Sequence, residues 1–550
     1  MTRCFSLTVA CVALAACGTA GSRQPTFSVV EATIPQMQRA LEEVDVTSRD
    51  LVEAYLLRIA LYEETLNAVI SVNPHALAVA DSLDRERAAG RVRGPLHGIP
   101  VALKDNIHTT DLPTTGGALA FEDYVPPYDA TLTANLRDAG AIILAKTVMT
   151  ELANYIADGM PGNYSALGGY GMNPYDPRRD PRSEQGDGRP VMGTGGSSSG
   201  IGTAASFWAA NVGTETSGSI LSPANANMLV GIKPTVGRIS RWGVIPITAD
   251  QDTPGPMART VTDAAILMGV LEGGAPDPND PATRTCARTP SRDYTAFLNA
   301  DGLRGARIGI PRANYYDSIH VPGESAPRGG LPPDRRAVMD EVIEVLRAQG
   351  AVIVDPADIP SVIASDATRN VLLAESSVLE YGMKRDFNAW LATLGETTPV
   401  ASLTELREWN LAHERAGAIK YGQARLDASD ALSLDGPDRA RYEADRARDL
   451  RLNGANGIDE VVAALDLDAL LFPGVAGAAL SARPGYPTVA VPFTRLAVPP
   501  SPDYPEGFDP LPAPMGVSFA GTACTEPRLI ELAYAFEQAT RGRVPPESAR

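Results

Sequence analysis

The sequence predicts an α/β fold, and three observations carry that expectation. Short apolar runs bounded by turn residues, Val101–Leu103 within PLHGIPVALKDNI and AIILAKTV at 141–148, read as buried strands rather than as amphipathic helices. Such runs alternate with helical segments through 231–270 and again near Ala306–Gly309 and Val352–Val354, the pattern of a sheet covered by helices. The chain has 550 residues, 44% hydrophobic and 21% charged, enough for one oversized globular domain or two ordinary ones.

Taken in order, the first stretch is MTRCFSLTVACVALAAC, one basic residue, Arg3, followed by an apolar run from Phe5 to Ala16. It fits a secretory signal and is too short to span a bilayer. Leu14-Ala-Ala-Cys17 resembles a bacterial lipobox, in which Cys17 becomes the acylated first residue; the plainer alternative is cleavage after Ala-x-Ala. The expected organisation is a signal peptide over 1–16, a lipidated tether over 17–29 and one domain over 30–545. With no acidic residue after Cys17, the expected destination is the periplasmic side of the outer membrane.

Residues 30–92 read as two or three helices, with Ile34, Met37 and Leu41 on one face and Thr47-Ser48 as a cap before Leu51, Tyr55, Leu56 and Ile59. A strand follows that ends at Lys104, then a helix from Ala130 to Ala139 and a second strand at 141–148. From Pro161 to Pro190 the chain is rich in Gly, Pro, Asp and Arg, a loop of a length that is usually functional or mobile. Ile201 to Ala210 reads as a buried helix of small residues. Arg335 to Asp466 is predominantly helical, and Val498 to Pro514 is a proline-rich excursion before a last strand and helix.

Charge and cysteines narrow the function classes. The formal net charge is −18, which argues against a nucleic-acid partner, whose phosphates demand a basic face. Of the five cysteines, Cys4 and Cys11 leave with the signal and Cys17 is acylated, so Cys286 and Cys524 remain, either as a disulfide or as two buried thiols. No C-x-x-C or H-E-x-x-H occurs, so no zinc site is expected.

The densest concentration of small and hydroxyl residues is Gly193 to Ser219, GTGGSSSGIGTAASFWAANVGTETSGS. A phosphate loop would need Gly-Lys-Ser/Thr or a completed G-x-G-x-x-G, and neither is present. Gly196-Ser-Ser198-Ser-Gly200 matches G-x-S-x-G, the elbow of α/β-hydrolases, which would make Ser198 the nucleophile of an esterase and require a histidine. The chain has His75, His97, His108, His320 and His413, none in a segment that reads as a catalytic turn. A flexible polar loop is the third reading.

GGSSSG at 195–200, GTETSGSI at 213–220, GIKPT at 231–235, GPMARTVTDAA at 255–265 and GPLHGIPVALKDNI at 94–107 together resemble the amidase signature family. GYPTVAVP at 485–492 and EPRLIELAYAFEQAT at 526–540 extend the resemblance over roughly 30 to 540. It implies a single large α/β/α fold with a mixed sheet covered by helices, no cofactor and no metal. It also implies a Ser-cisSer-Lys triad of Ser219, Ser197 and Lys104, with a cis Gly196–Ser197 bond. Backbone N–H groups of Thr216, Ser217, Gly218 and Ser219 would form the oxyanion hole, and Gly195, Gly196, Ser198 and Tyr381 would line the substrate. The spacing from Ser197 to Ser219 is two residues shorter than the family usually shows, so Ser198 and Ser199 stay candidates for the middle role.

The basic residues support the same chemistry. Only five of the 48 are lysines, Lys104, Lys146, Lys233, Lys384 and Lys420, and three of these fall in or beside the motifs. Arginine keeps its proton in a protein, whereas a buried lysine can act as a base near neutrality. The structural alternative for Lys104 is a salt bridge to Asp105. The stretch EYGMKRDFNAW at 380–390, with Asn388 and Tyr421-Gly422-Gln423, resembles peptide amidases, where helices form a substrate funnel. The implied substrate is a small-molecule or peptide amide, with the membrane reached only through the lipid. A non-catalytic binding lipoprotein on the same fold is the remaining alternative.

Overall fold

Pro100–Lys104 (β2) and Ile142–Thr147 (β3) are buried at every position. Strands covered on both faces have no polar side, which is why they appear in the sequence as unbroken apolar runs. In the computed structural model, which describes residues 27–182, 186–289, 291–499 and 503–550, they lie in an eleven-stranded mixed sheet. The predicted signal and Cys17 lie outside the described residues.

The strands in chain order are Val69–Val72 (β1), β2, β3, the small hairpin Tyr164–Ser165 (β4) and Gly169–Tyr170 (β5), Ala210–Glu215 (β6), Val230–Lys233 (β7), Thr253–Ala258 (β8), Arg307–Gly309 (β9), Val352–Val354 (β10), Ala469–Pro473 (β11), Thr488–Leu496 (β12) and Ala513–Ala520 (β13). The sheet order is β1-β3-β2-β6-β8-β7-β12-β13-β11-β9-β10. β3, β2 and β6 run parallel, and the strands from β8 to β13 alternate in direction. Because β2 and β6 are parallel neighbours, with Leu103 opposite Val212, their carboxyl ends open onto the same edge of the sheet.

Ile34–Glu42 (α1) and Ser48–Leu66 (α2) each begin with a reciprocal capping box, Thr33 with Gln36 and Thr47 with Asp50, so the predicted cap at Thr47 is where the helix starts. β1 then intervenes before Ala76–Ala88 (α3), in a stretch expected to be helical throughout. It pairs antiparallel with β3 at the sheet edge and is only partly buried, so four residues carry little strand signal. Thr131–Asp138 (α4) matches its expectation.

The helix expected over 201–210 is a single turn, Ile201–Ala204 (α5). Ser206 adopts φ +56°, and the chain folds back so that Trp208 packs over Gly202, where a Cβ would lie 2.2 Å from the indole. Trp208 Nε1 donates to Thr203 Oγ1 at 2.7 Å, which fixes this reversal. Leu221–Ala226 (α6) and Val261–Glu272 (α7) follow, then Pro333–Ala348 (α8).

The helical region contains Val378–Ala392 (α9), Leu403–Ala412 (α10), Ala424–Ala431 (α11), Gly436–Asp449 (α12) and Asp459–Leu465 (α13). Ala478–Ala482 (α14) and Glu526–Thr540 (α15) are the last two α-helices among the described residues. Phe387, Trp390, Leu403 and Leu426 form a second core with Phe121, Tyr155 and Tyr164, separate from the core under the sheet. Helices α9 to α11 therefore pack on the loops that surround the serine-rich segment. Cys286 and Cys524 form a disulfide with Cα atoms 5.6 Å apart. Among the described residues no helix is long and apolar enough to cross a membrane.

Candidate active site

Lys104 is the last residue of β2 and is fully buried. Its Nζ lies 2.9 Å from Ser197 Oγ, 2.8 Å from Thr214 Oγ1 and 3.2 Å from the Thr214 carbonyl oxygen. Desolvation dominates its proton affinity and brings its pKa down to about 7, although Asp252 and Glu215 pull the other way. The salt bridge from Lys104 to Asp105 does not form. Asp105 instead pairs at 3.1 Å with Lys146 of β3, which also donates to Thr114 Oγ1 at 2.8 Å.

Ser197, Ser198 and Ser199 are all buried, yet they have different partners. Ser198 Oγ donates to the Thr214 carbonyl at 2.9 Å and accepts from Thr214 N–H at 3.1 Å, which ties the serine loop to the end of β6. Ser199 gives its carbonyl to Asn211 Nδ2 at 3.1 Å. Only Ser197 reaches Lys104. No histidine bonds to these serines among the described residues; His108 accepts from Trp390 Nε1 and His97 contacts the Leu83 carbonyl.

The loop lies against the segment that carries Ser219. Gly195 has φ +91°, and a Cβ there would overlap the backbone of Pro223 at 2.4 Å, so this position admits glycine alone. A Cβ at Gly196 would stand 2.9 Å from the Cα of Ser219, and Ser198 N–H donates to the Ser219 carbonyl at 3.2 Å. The cis Gly196–Ser197 bond is absent: among the described residues the one cis peptide is Asp355–Pro356. A cis bond before a residue other than proline costs about 3–4 kcal/mol, and the trans chain already brings Ser197 Oγ to Lys104.

Beyond β6 the chain turns through Thr216, Ser217, Gly218 and Ser219, with Gly218 at φ +87°. Among the described residues their N–H groups donate to no protein acceptor, so four donors are left at one loop. Ser217 is exposed, and Gly218 and Ser219 are half-buried. Thr216 Oγ1 donates to Asp252, and Glu215 accepts the N–H groups of Ile220 and Leu221 at 2.7 and 3.0 Å. A buried lysine, a hydroxyl beside it and a half-exposed serine on a donor-rich turn are the parts of an acyl-transfer site.

A model of the family described as Amidase matches residues 50–530. The chain belongs to the amidase family. It is 36% identical to a protein described as a probable amidase from Arabidopsis thaliana, over 95% of this chain and 92% of that one. Among solved structures, the native peptide amidase from Stenotrophomonas maltophilia superposes with a TM-score of 0.78 at 36% identity, covering 94% of this chain and 99% of that chain. An amidase family protein from Bacillus anthracis gives 0.79 at 32% identity over 94% and 93%. The chain is accordingly an amidase, a hydrolase on the α/β fold described above.

Two residues singled out from this amidase's sequence bond neither to Lys104 nor to the serines. Tyr381 in α9 is buried, donates its hydroxyl to the Leu434 carbonyl at 2.7 Å and stacks on Tyr442 with centroids 4.3 Å apart. Lys233 is buried in β7, with its pKa lowered by desolvation to about 8 against the pull of Glu215 and Glu526. Sequence reasoning missed Thr214, which satisfies Lys104 twice, and Asp252, a largely buried carboxyl whose pKa desolvation pushes up to about 7. Thr214 stands inside the GTETSGS cluster and carried a signal; Asp252 sits in a turn with none.

Proposed function

We propose that this amidase hydrolyses linear carboxamides, C-terminal peptide amides or small aryl and alkyl amides, with Ser219 as nucleophile, Ser197 as proton relay and Lys104 as base. The observation that carries the reading is the 2.9 Å contact of Ser197 Oγ with a buried lysine that has no ion-pair partner among the described residues. A neutral amine has two N–H donors and one lone pair. The two donors match the oxygens of Thr214, which leaves the lone pair for the Ser197 hydroxyl.

In this scheme Ser219 gives its proton to Ser197 as Ser197 gives its own to Lys104, and Ser219 Oγ attacks the amide carbonyl. The oxyanion is held by the N–H groups of the Thr216–Ser219 turn. The proton returns through Ser197 to the amine as the C–N bond breaks, and the same relay deprotonates the water that releases the acid. Glycine at 195 and 196 keeps the relay serine's loop in contact with the nucleophile's, and Ser198 anchors it to Thr214.

The substrate class is supported by the likeness to a peptide amidase over nearly the whole of both chains. The charge of −18 favours a small or peptide substrate over tRNA. Ammonia release from a panel of peptide amides and small carboxamides tests this; hydrolysis of esters alone, at every pH, would overturn it. The LAAC box supports export and acylation at Cys17. Expressed in a bacterial host, the wild type should partition with membranes and Cys17→Ser should not; equal partitioning would refute the anchor.

A further inference from the structure

We infer that Gln251 and Asp252 are positioning residues for acyl transfer, and that the turn carrying them makes helix α9 part of the same machinery. Thr216, the first residue of the donor-rich turn, is gripped on both sides. Its hydroxyl donates to Asp252 Oδ1, and its carbonyl accepts from Gln251 Nε2 at 3.1 Å. Asp252 is itself fixed, since Oδ2 accepts the N–H groups of Ile247 and Thr248 at 2.8 and 2.9 Å. Rotation of Thr216 would break its hydrogen bond to a largely buried carboxyl.

The other side of this turn rests on α9. Gly382 lies against Thr248, where a Cβ would stand 2.3 Å from Oγ1. Asp386 Oδ2 accepts the Ala249 N–H at 2.6 Å, and Arg385 bridges Asp386 to Asp250 at 2.7 and 3.0 Å. Arg446 and Tyr442 of α12 hold Asp250 at 3.3 and 2.9 Å. A continuous chain of bonds thus runs from α9 through residues 248–252 to Thr216. A cleft of about 280 Å³ between α9 and the segment from Arg241 to Ala249 is lined by both Asp386 of α9 and Asp252, the two ends of this chain of bonds. The inference makes α9 a determinant of turnover as well as of binding.

The inference rests on the oxyanion reading of the Thr216–Ser219 turn. Asp386→Ala should lower kcat about 10-fold with KM within about twofold, the scale of a small misplacement of a catalytic group. Asp386→Asn keeps an acceptor for the Ala249 N–H and should restore kcat. In a background carrying both Thr216→Val and Gln251→Leu, which removes both side-chain bonds that grip residue 216, Asp386→Ala should cost less than twofold further. Gln251→Leu tests the same grip without touching α9, and should also lower kcat. Unchanged kcat in Gln251→Leu, or an Asp386→Ala penalty of equal size in both backgrounds, overturns the inference. A wild-type enzyme that hydrolyses no amide would instead defeat the proposed function, and that result is separable because it needs no variant.

Discussion

Replacing Lys104 by methionine removes the amine while keeping the length and burial of the side chain. The amine makes three contacts, to Ser197 Oγ and twice to Thr214. Thr214 stays partly satisfied, since its carbonyl also accepts from Ser198 at 2.9 Å and its hydroxyl from Asn106 at 3.0 Å. The main structural loss is one partner for Ser197, about 1–3 kcal/mol for an unsatisfied buried hydroxyl, offset by the easier burial of an apolar group. The variant should therefore fold. Loss of the general base should lower the rate by about 10²–10⁴-fold. Arginine is the complementary substitution: it supplies a permanent charge and no lone pair in a site without an ion-pair partner, so it should lose activity and also stability, by about 3–5 kcal/mol. The assay is ammonia release from a terminal carboxamide between pH 5 and 10, with thermal melts alongside. Burial lowers the Lys104 pKa to about 7, and the base works when neutral, so wild-type kcat/KM should rise with pH through about 7 and then level off. A Lys104→Met enzyme with more than about a tenth of wild-type activity would refute the reasoning.

The serines separate by partner: Ser197→Ala should lose about 10²-fold or more in rate, whereas Ser198→Ala should mainly cost stability, about 1 kcal/mol for its bonds to Thr214, which kinetics and denaturant titration distinguish. Lys146→Met strands the Asp105 carboxylate and should destabilise by about 3–5 kcal/mol, and adding Asp105→Asn should recover much of that in the same titration. Cys286→Ser should lower stability by about 2–5 kcal/mol, and a reductant should shift the wild-type melting temperature but not that of the variant.

The sequence made the buried strands and the site's ingredients legible because both rest on local signals. A strand covered on both faces is largely apolar, with its few polar residues paired or placed at the site, and the glycine-serine clusters announce close backbone approach. β1 was hidden because a half-exposed edge strand of four residues has neither an apolar run nor an alternation long enough to read. The helix expected over 201–210 ends after one turn because the chain reverses at Ser206 and Trp208 closes over Gly202. The competing salt bridge for Lys104 falls to strand geometry: successive residues at a strand end point to opposite faces, and Asp105 faces Lys146 on the neighbouring strand. The choice among three adjacent serines, and the grip of Gln251 and Asp252 on Thr216, depend on contacts between segments tens of residues apart, which no local pattern encodes.

The most direct test of the account is where a serine-directed acylation mimic reacts. Treatment with a fluorophosphonate followed by peptide mapping should give one adduct, on Ser219, formed faster as pH rises through about 7 and not formed in Ser219→Ala. An adduct on Ser198, or undiminished labelling of Ser219→Ala, would contradict the assignment of Ser219 as the nucleophile served by Lys104 through Ser197.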